Sequence, residues 1–208
     1  MPGKPLRQVR ATFTDHTITV YQAYPPQIAD TAAAASTFVA PFKRGRMTWI
    51  KPSFLWMMYR SGWATKPGQE RILAIQITRE GFEWALTHAA LSHFEMGTYT
   101  DQQQWAERKR TSPVRVQWDP DRSLSLAPLS HRAIQIGLSG EAVDRYLDLW
   151  ITAITDITPL VERIRRQVDS GRVGAAEAEL PVEHVYPLPA PVCGLIGATE
   201  HQCNGPSS

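Results

Sequence analysis

Residues 42–63 read F-K-R-G-R-M-T-W-I-K-P-S-F-L-W-M-M-Y-R-S-G-W, the stretch of the chain with the densest structural signals. Met47 to Ile50 is typical of a short strand, and Pro52 suits the first position of a helix, where its missing N–H costs nothing. The run Ser53 to Arg60 is apolar on nearly every side, which is typical of a buried helix. Gly62 is the kind of residue that ends a helix. The stretch therefore predicts a short strand followed directly by a buried helix.

Strand and helix patterns alternate on both sides of this unit. The predicted strands are 18–24, 71–77, 114–118 and 133–138, and the predicted helices are 27–36, 80–93 and 101–110. The strands are short and never settle into regular βαβ spacing. That order favours a single α+β domain over a doubly wound α/β fold.

The strongest helical periodicity lies near the C-terminus. Apolar residues step by 4, 3, 4, 3, 4, 3 and 4 through Val143, Leu147, Trp150, Ile154, Ile157, Val161, Ile164 and Val168. Ser139 is a suitable N-cap for this segment, and Pro159 interrupts it. The pattern predicts one long C-terminal helix with a kink at the proline.

Length and composition set the domain organisation. The chain has 208 residues, of which 43% are apolar, enough to bury a core in one domain. We expect residues 1–10 to be a loose leader and residues 11–170 to form the domain. The Ala-, Pro- and Gly-rich segment 171–208 is expected to be mostly disordered.

Charge and cysteine usage exclude several classes of protein. Twenty-two Lys and Arg against twenty Asp and Glu give a formal charge of +2, so no global field points to nucleic acid or to an anionic membrane. No apolar run is long enough for a membrane span, and no signal peptide is recognisable. Cys193 and Cys203 lie too near the C-terminus to staple the core, and the expected setting is the cytoplasm. Nothing indicates an oligomeric state.

A basic run precedes the predicted central helix. Lys43, Arg44, Arg46 and Lys51 fall within nine residues that contain no acid, and they lead into a helix start at Ser53. A helix N-terminus with adjacent guanidinium groups favours an anion. The alternative interpretation is a solvated basic turn before an ordinary core helix.

Aromatic residues in the same stretch offer flat surfaces for a ring. Trp49, Trp56, Tyr59 and Trp63 could stack on a base or a nicotinamide, so the stretch predicts a site for a ligand with phosphate and ring. In the alternative interpretation these aromatics simply pack in the core.

A second polar group lies on the strand 114–118 and its continuation. Arg115, Gln117 and Asp119 share one strand face, which could grip a ribose, while the alternative is a half-exposed strand entering an Asp-Pro turn. Walker A and G-x-G-x-x-G loops are absent, as are metal-ligand spacings in the folded part. Ser53 has no obvious His and Asp partners in the sequence.

Several strings resemble a known family of uncharacterised bacterial and fungal proteins. They are R-Q-V-R-A, V-Y-Q-A-Y, the long central string from Arg44 to Trp63, K-P-G-Q-E-R-I-L-A-I, V-R-V-Q-W-D-P-D-R and I-Q-I-G-L. Together they resemble domain of unknown function 4291 over roughly residues 7–168. This family brings no activity with it.

The succession of elements is also similar, more distantly, to the N-terminal half of ADP-ribosyltransferase domains, in which a split α+β sheet grips NAD. The resemblance implies a ribose contact from the first strand, matched by Tyr21. It implies an aromatic near Ser or Thr on the second strand, matched by Thr48, Trp49 and Ser53. A later strand gives a Glu or Gln to the nicotinamide ribose, matched by Gln117. His-x-Thr is absent from the first strand, and Gln replaces Glu at the last position, so another acid, Asp119, would be needed.

These observations leave two main hypotheses open, and neither establishes whether the chain is an enzyme. The first is an ADP-ribosyltransferase-like enzyme of unknown acceptor. In it Arg46 and Lys51 hold the NAD pyrophosphate, Trp49 or Tyr59 stacks on a ring, and Gln117 and Asp119 act at the ribose. The second is a non-catalytic module for a nucleotide or single-stranded nucleic acid. A scaffold built on the predicted C-terminal helix is a third reading. The first hypothesis requires Tyr21, Arg46, Trp49 and Gln117 to line one cleft.

Overall fold

A computed structural model describes residues 5–199 of the chain. The strands are β1 Arg10–Ala11, β2 Thr17–Tyr24, β3 Thr48–Ile50, β4 Arg71–Thr78, β5 Ala89–Leu91, β6 Val114–Arg122, β7 Pro128–Leu138, β8 Ile151–Asp156 and β9 His184–Val185. The helices are α1 Pro26–Ala35, α2 Phe54–Ser61, α3 Arg79–Thr87, α4 Gln102–Thr111, α5 Glu141–Arg145, α6 Thr158–Asp169, α7 Val173–Ala178 and α8 Ala190–Leu195. Tyr146–Trp150 continues α5 as a π-helical turn.

The smaller of the two main sheets has three antiparallel strands in the order β2-β4-β8. Its buried face is built from cross-strand pairs of β-branched residues. Ile18 lies opposite Ile77, and Val20 lies opposite Ile75. All of these side chains are fully buried, so the register is set by the apolar face.

The larger main sheet has four strands in the order β3-β7-β6-β5, antiparallel except for the pair β5–β6. Its buried face includes the cross-strand pair Val116 and Ile136. Arg115, Gln117 and Asp119 alternate with that face and are only partly buried, as the sequence predicts.

The two sheets meet along their edge strands β2 and β3. The N–H of Tyr21 donates to the carbonyl of Lys51 at 2.7 Å, which makes a backbone bridge between β2 and the end of β3. Toward Tyr24 and Thr48 the strands are no longer paired to each other. The prediction of a single α+β domain is confirmed, and its sheet is split at this seam.

Local signals in the central stretch act as predicted, with one shift. The N-cap of α2 is Ser53, whose Oγ accepts the N–H of Trp56 at 3.2 Å, so Pro52 lies just outside the helix. Gly62 ends α2 in the left-handed conformation with φ of 60°.

The predicted long C-terminal helix is wrong. Residues 141–169 form α5, the π-helical turn, the strand β8 and then α6. The 4-3 spacing of apolar residues continues through the segment 151–155, I-T-A-I-T, but its β-branched residues favour a strand, and β8 pairs with β4. Pro159 consequently lies in the first turn of α6, where it is tolerated, and kinks nothing.

The expectations of a loose leader and a disordered tail are also wrong for the described residues. Val9 is fully buried, and Arg10 pairs with Val185 across β1 and β9. Tyr186 and Ile196 are fully buried in the main core. The segment is rich in Pro and Ala, which led to the prediction of disorder, but it also contains apolar residues that pack on the domain. Residues 1–4 and 200–208, including Cys203, lie outside the described part of the chain.

Candidate functional site

A cleft opens at the seam where β2 and β3 separate. Its volume is about 400 Å³, within the range of small-molecule sites. One wall comes from the end of β2 and the start of β3, and another from α2. The loops 41–47 and 67–69 close the rim. We call it the seam cleft.

The seam cleft is lined by cations. Lys43, Arg46, Lys51 and Arg60 contribute to its lining. Among residues 5–199, no Asp or Glu lines it. Such a lining favours an anion, and guanidinium groups can bind phosphate oxygens in bidentate fashion.

Lys51 is the buried cation of the cleft, with only 6% of its surface exposed. Its Nζ donates to the carbonyl of Trp49 at 3.1 Å and lies 5.5 Å from the centre of the Trp56 ring. The pKa of Lys51 is lowered to about 7, chiefly by burial and to a smaller extent by the charge of Arg60, while the charge of Asp119 opposes the shift. Lys51 therefore titrates near neutral pH, and an anion bound beside it would favour its charged form.

A network of neutral polar groups supports the floor of the cleft. Gln22 is buried, its Nε2 donates to Thr48 Oγ1 at 2.6 Å, and its Oε1 accepts the hydroxyl of Tyr146 at 2.8 Å. The hydroxyl of Tyr24 lies 3.0 Å from Thr48 Oγ1. Burial raises the pKa of Tyr24 to about 12, and that of Tyr146 well above its ordinary value. Both phenols therefore stay protonated and tie β2, β3 and the π-helical turn together.

Trp49 owes its position to a glycine on the neighbouring strand. Trp49 lies opposite Gly137 in the register of β3 and β7. A Cβ on Gly137 would lie 2.9 Å from Cζ2 of the indole and 3.0 Å from the sulfur of Met47. The indole can pack down on the strand because that Cβ is missing, and Trp49 lines the cleft.

The rim loop is anchored by an arginine outside the cleft. Arg44 Nη2 lies 2.6 Å from Asp148 Oδ1, and Arg44 Nη1 lies 3.3 Å from Asp144 Oδ1. The basic run of the sequence thus divides in two. Arg44 clamps the loop to α5 and the π-helical turn, while Lys43 and Arg46 line the cleft.

The model of one family, described as Domain of unknown function (DUF4291), matches residues 8–186. The chain belongs to the DUF4291 family. The match runs from just before β1 to just past β9, so it includes both sheets and the seam, and it extends beyond the range that the sequence strings indicate. No curated protein matches the chain.

In this DUF4291 member the seam cleft gathers part of the predicted site. Arg46, Thr48, Trp49 and Lys51 all contribute to its lining. They come from the rim loop and from β3 and its end, so part of the basic run and the aromatic side chain line one cavity.

Three other predicted residues lie elsewhere in the DUF4291 fold. Tyr21 is buried in an apolar cluster beneath α2, with its ring 5.5 Å from that of Phe54. Tyr59 is exposed on α2 with the guanidinium of Arg122 3.4 Å from its ring centre. Ser53 caps α2 and lines a second cavity.

Gln117 and Asp119 form a cluster of their own on β6. Gln117 Nε2 donates to Asp119 at 3.0 Å, and Gln135 Nε2 also donates to that carboxylate. Among the described residues, neither Gln117 nor Asp119 lines the seam cleft, and Gln117 lines a different cavity beside β5. Of the four residues that the first hypothesis places in one cleft, Arg46 and Trp49 line it, whereas Tyr21 and Gln117 do not. Asp119 nevertheless acts electrostatically on Lys51, raising its pKa.

Two features were not predicted from the sequence: the place of Arg60 in the seam cleft, and the partners of Ser53 in the second cavity. Arg60 follows Met57 by three residues on α2, a helical spacing that could have placed it on the cleft side. Ser53 does have Asp and His neighbours. Its Oγ donates to Asp121 at 2.9 Å, and Asp121 lies 3.6 Å from His131 Nε2. The hydroxyl is already engaged as a helix cap, and its partners come from the distant β6–β7 hairpin.

Proposed function

We propose that this chain binds a nucleotide with linked phosphates, NAD in the first instance, in the seam cleft. The observation that carries the proposal is the lining itself, in which cations from the rim loop, the end of β3 and α2 line the same cavity as Trp49, with no described carboxylate among them. Phosphate and ring would be bound by different walls of one cavity.

Each wall has a distinct task in this proposal. Arg46 and Arg60 would bind the pyrophosphate oxygens, since guanidinium pairs with phosphate through two parallel hydrogen bonds. Trp49 would stack on a base or on the nicotinamide ring. Lys51 would add charge at the inner end once the anion favours its protonated form.

The split sheet supports ADP-ribosyl transfer as the reaction. The distant resemblance implies contacts to NAD from the first strand and from an aromatic near Ser or Thr on the second. At the seam, β2 offers Gln22 and Tyr24, and β3 offers Thr48 and Trp49. Gln22 or Tyr24 would then make the ribose contact that the resemblance to ADP-ribosyltransferase domains implies for Tyr21, which is buried.

In the transfer step the bond between the ribose carbon C1′ and the nicotinamide nitrogen breaks, and its electron pair leaves with neutral nicotinamide. The acceptor nucleophile, whose identity stays open, then bonds to C1′. Asp119, held by Gln117 and Gln135 outside the cleft lining, would act through its electric field on the positive charge that develops on the ribose. The charge of Asp119 raises the pKa of Lys51, which supports the idea that the electric field of this carboxylate reaches the cleft.

Thermal unfolding with and without ligand tests the binding claim. NAD and ADP at about 100 times Kd should stabilise the wild-type protein by about 2.7 kcal/mol, and Arg46→Ala should lose this effect. Arg166→Ala is the matched control, because Arg166 is an exposed arginine of α6. Absence of stabilisation by both nucleotides, or equal stabilisation of Arg46→Ala, would refute the proposal.

Nicotinamide release separates the enzyme from a non-catalytic module. The enzyme hypothesis predicts release from NAD that Gln117→Ala or Asp119→Asn removes while NAD binding persists. Binding without release favours the module. If oligonucleotides stabilise the protein more than NAD, with a steep salt dependence, the ligand is single-stranded nucleic acid.

A further inference from the structure

The position of the Lys51 amine suits a chemical role in addition to the binding of an anion. The amine is buried at the inner end of a cavity, and its Nζ contacts a backbone carbonyl and the face of a tryptophan. Within residues 5–199 no carboxylate forms an ion pair with Lys51. Nine of the arginines do form ion pairs with Asp or Glu, namely Arg7, Arg44, Arg71, Arg79, Arg110, Arg145, Arg163, Arg165 and Arg166. An unpaired amine in a cation-lined site is held where its neutral form is favoured.

Charged groups on two other elements act on the pKa of Lys51. Arg60 on α2 lowers it and Asp119 on β6 raises it. Lys43 and Arg46 on the rim loop line the same cavity. Burial dominates and lowers the pKa to about 7. A large share of Lys51 is therefore a free amine at neutral pH, and a free amine is the nucleophilic form.

We propose that Lys51 captures phosphorylated aldehydes in the seam cleft as imines. The inference needs the cationic cleft but does not depend on NAD as its ligand. Arg46 and Arg60 would hold the phosphate group, and the aldehyde would lie toward Nζ. A compound with a single phosphate and a short carbon skeleton is well within a cavity of about 400 Å³.

The chemistry balances with one proton taken from solvent. The nitrogen lone pair of Lys51 attacks the carbonyl carbon, and one amine proton moves to the carbonyl oxygen to give a neutral carbinolamine. The hydroxyl group takes up the solvent proton and leaves as water, while the nitrogen lone pair forms a double bond to carbon. The product is a protonated imine, whose charge the electric field of the Asp119 carboxylate would help to stabilise.

Reductive trapping on the wild-type protein tests this directly. Pyridoxal 5′-phosphate serves as the aldehyde probe, cyanoborohydride delivers hydride to the imine carbon, and peptide mapping locates the secondary amine. We expect Lys51 to be labelled at least about tenfold faster than Lys66, an exposed lysine that does not line the cleft. Labelling of Lys51 no faster than Lys66 would overturn the proposal.

Phosphate dependence provides the second readout. Pyridoxal, which lacks the phosphate, should label Lys51 about tenfold more slowly, as the loss of one or two charge-assisted hydrogen bonds predicts. Arg46→Ala should slow labelling by the phosphorylated probe alone, with Arg166→Ala unchanged. Equal rates for the two probes would contradict a phosphate-directed site. Selective labelling of Lys51 in a protein that fails to bind NAD would sustain this inference and refute the nucleotide.

Discussion

At the scale of single residues, the pairing of Trp49 with Gly137 decides whether the cleft has a flat wall. Gly137→Ala places a methyl group 2.9 Å from the indole, so the ring or the strand must shift. We expect a loss of about 1–3 kcal/mol in the free energy of unfolding and weaker nucleotide binding. Gly174→Ala in α7, where a Cβ meets nothing within 4 Å, is the control. Urea unfolding and NAD titration measure both effects, and a Gly137→Ala protein matching the control would contradict this role of the glycine.

Lys51 should make the free energy of unfolding depend on pH. Its pKa is about 7 in the folded state against 10.5 ordinarily, so the unfolded chain binds more protons between these values. The free energy of unfolding should therefore rise with pH from 7 to 9, a window below the titration of the tyrosines. Lys51→Met should flatten this slope, whereas Lys66→Met, at an exposed lysine, should keep it. Urea unfolding at pH 7, 8 and 9 measures the slope, and an identical slope in Lys51→Met would show that Lys51 is not its source.

At the scale of elements, the rim loop depends on the Arg44 clamp to α5 and the π-helical turn. Arg44 and its two acidic partners are about half exposed, so Arg44→Ala should change the free energy of unfolding little. It should nevertheless speed amide exchange in residues 41–47 and weaken nucleotide binding several-fold, because Lys43 and Arg46 lose their fixed loop. Arg165→Ala, which breaks the exposed pair with Asp169 on α6, should alter neither. Unchanged exchange in the loop would mean that the clamp does not hold it.

Elements with local signals were predictable from sequence, and elements specified by distant partners were not. The α2 helix is marked at both ends, by Ser53 and Gly62, and each acts within its own turn. The segment around Ile154 mimics a helical stripe, and only pairing with β4, far away in the chain, makes it a strand. Tyr186 and Ile196 likewise find their core contacts on elements remote in sequence.

At the scale of the whole molecule, the site is a consequence of the split sheet. The basic run and Trp49 could be identified from sequence because they are contiguous. Gln22 could not, since its place in the cleft depends on how the two sheets meet. Gln117 and Asp119 were predicted as site residues from the alternation of side chains along β6. Alternation indicates which face of a sheet a side chain lies on, but not how far it lies from a cleft elsewhere in the molecule. Within residues 5–199, no helix has the length and apolar character needed to cross a bilayer.

A crystal structure of the protein grown with NAD would test most directly whether the gap between the sheets is the nucleotide site. We predict density for the pyrophosphate between Arg46 and Arg60, with a ring stacked on Trp49. Density for NAD in the cavity beside Ser53 and His131, or along β5, with the gap between β2 and β3 left empty, would contradict the account.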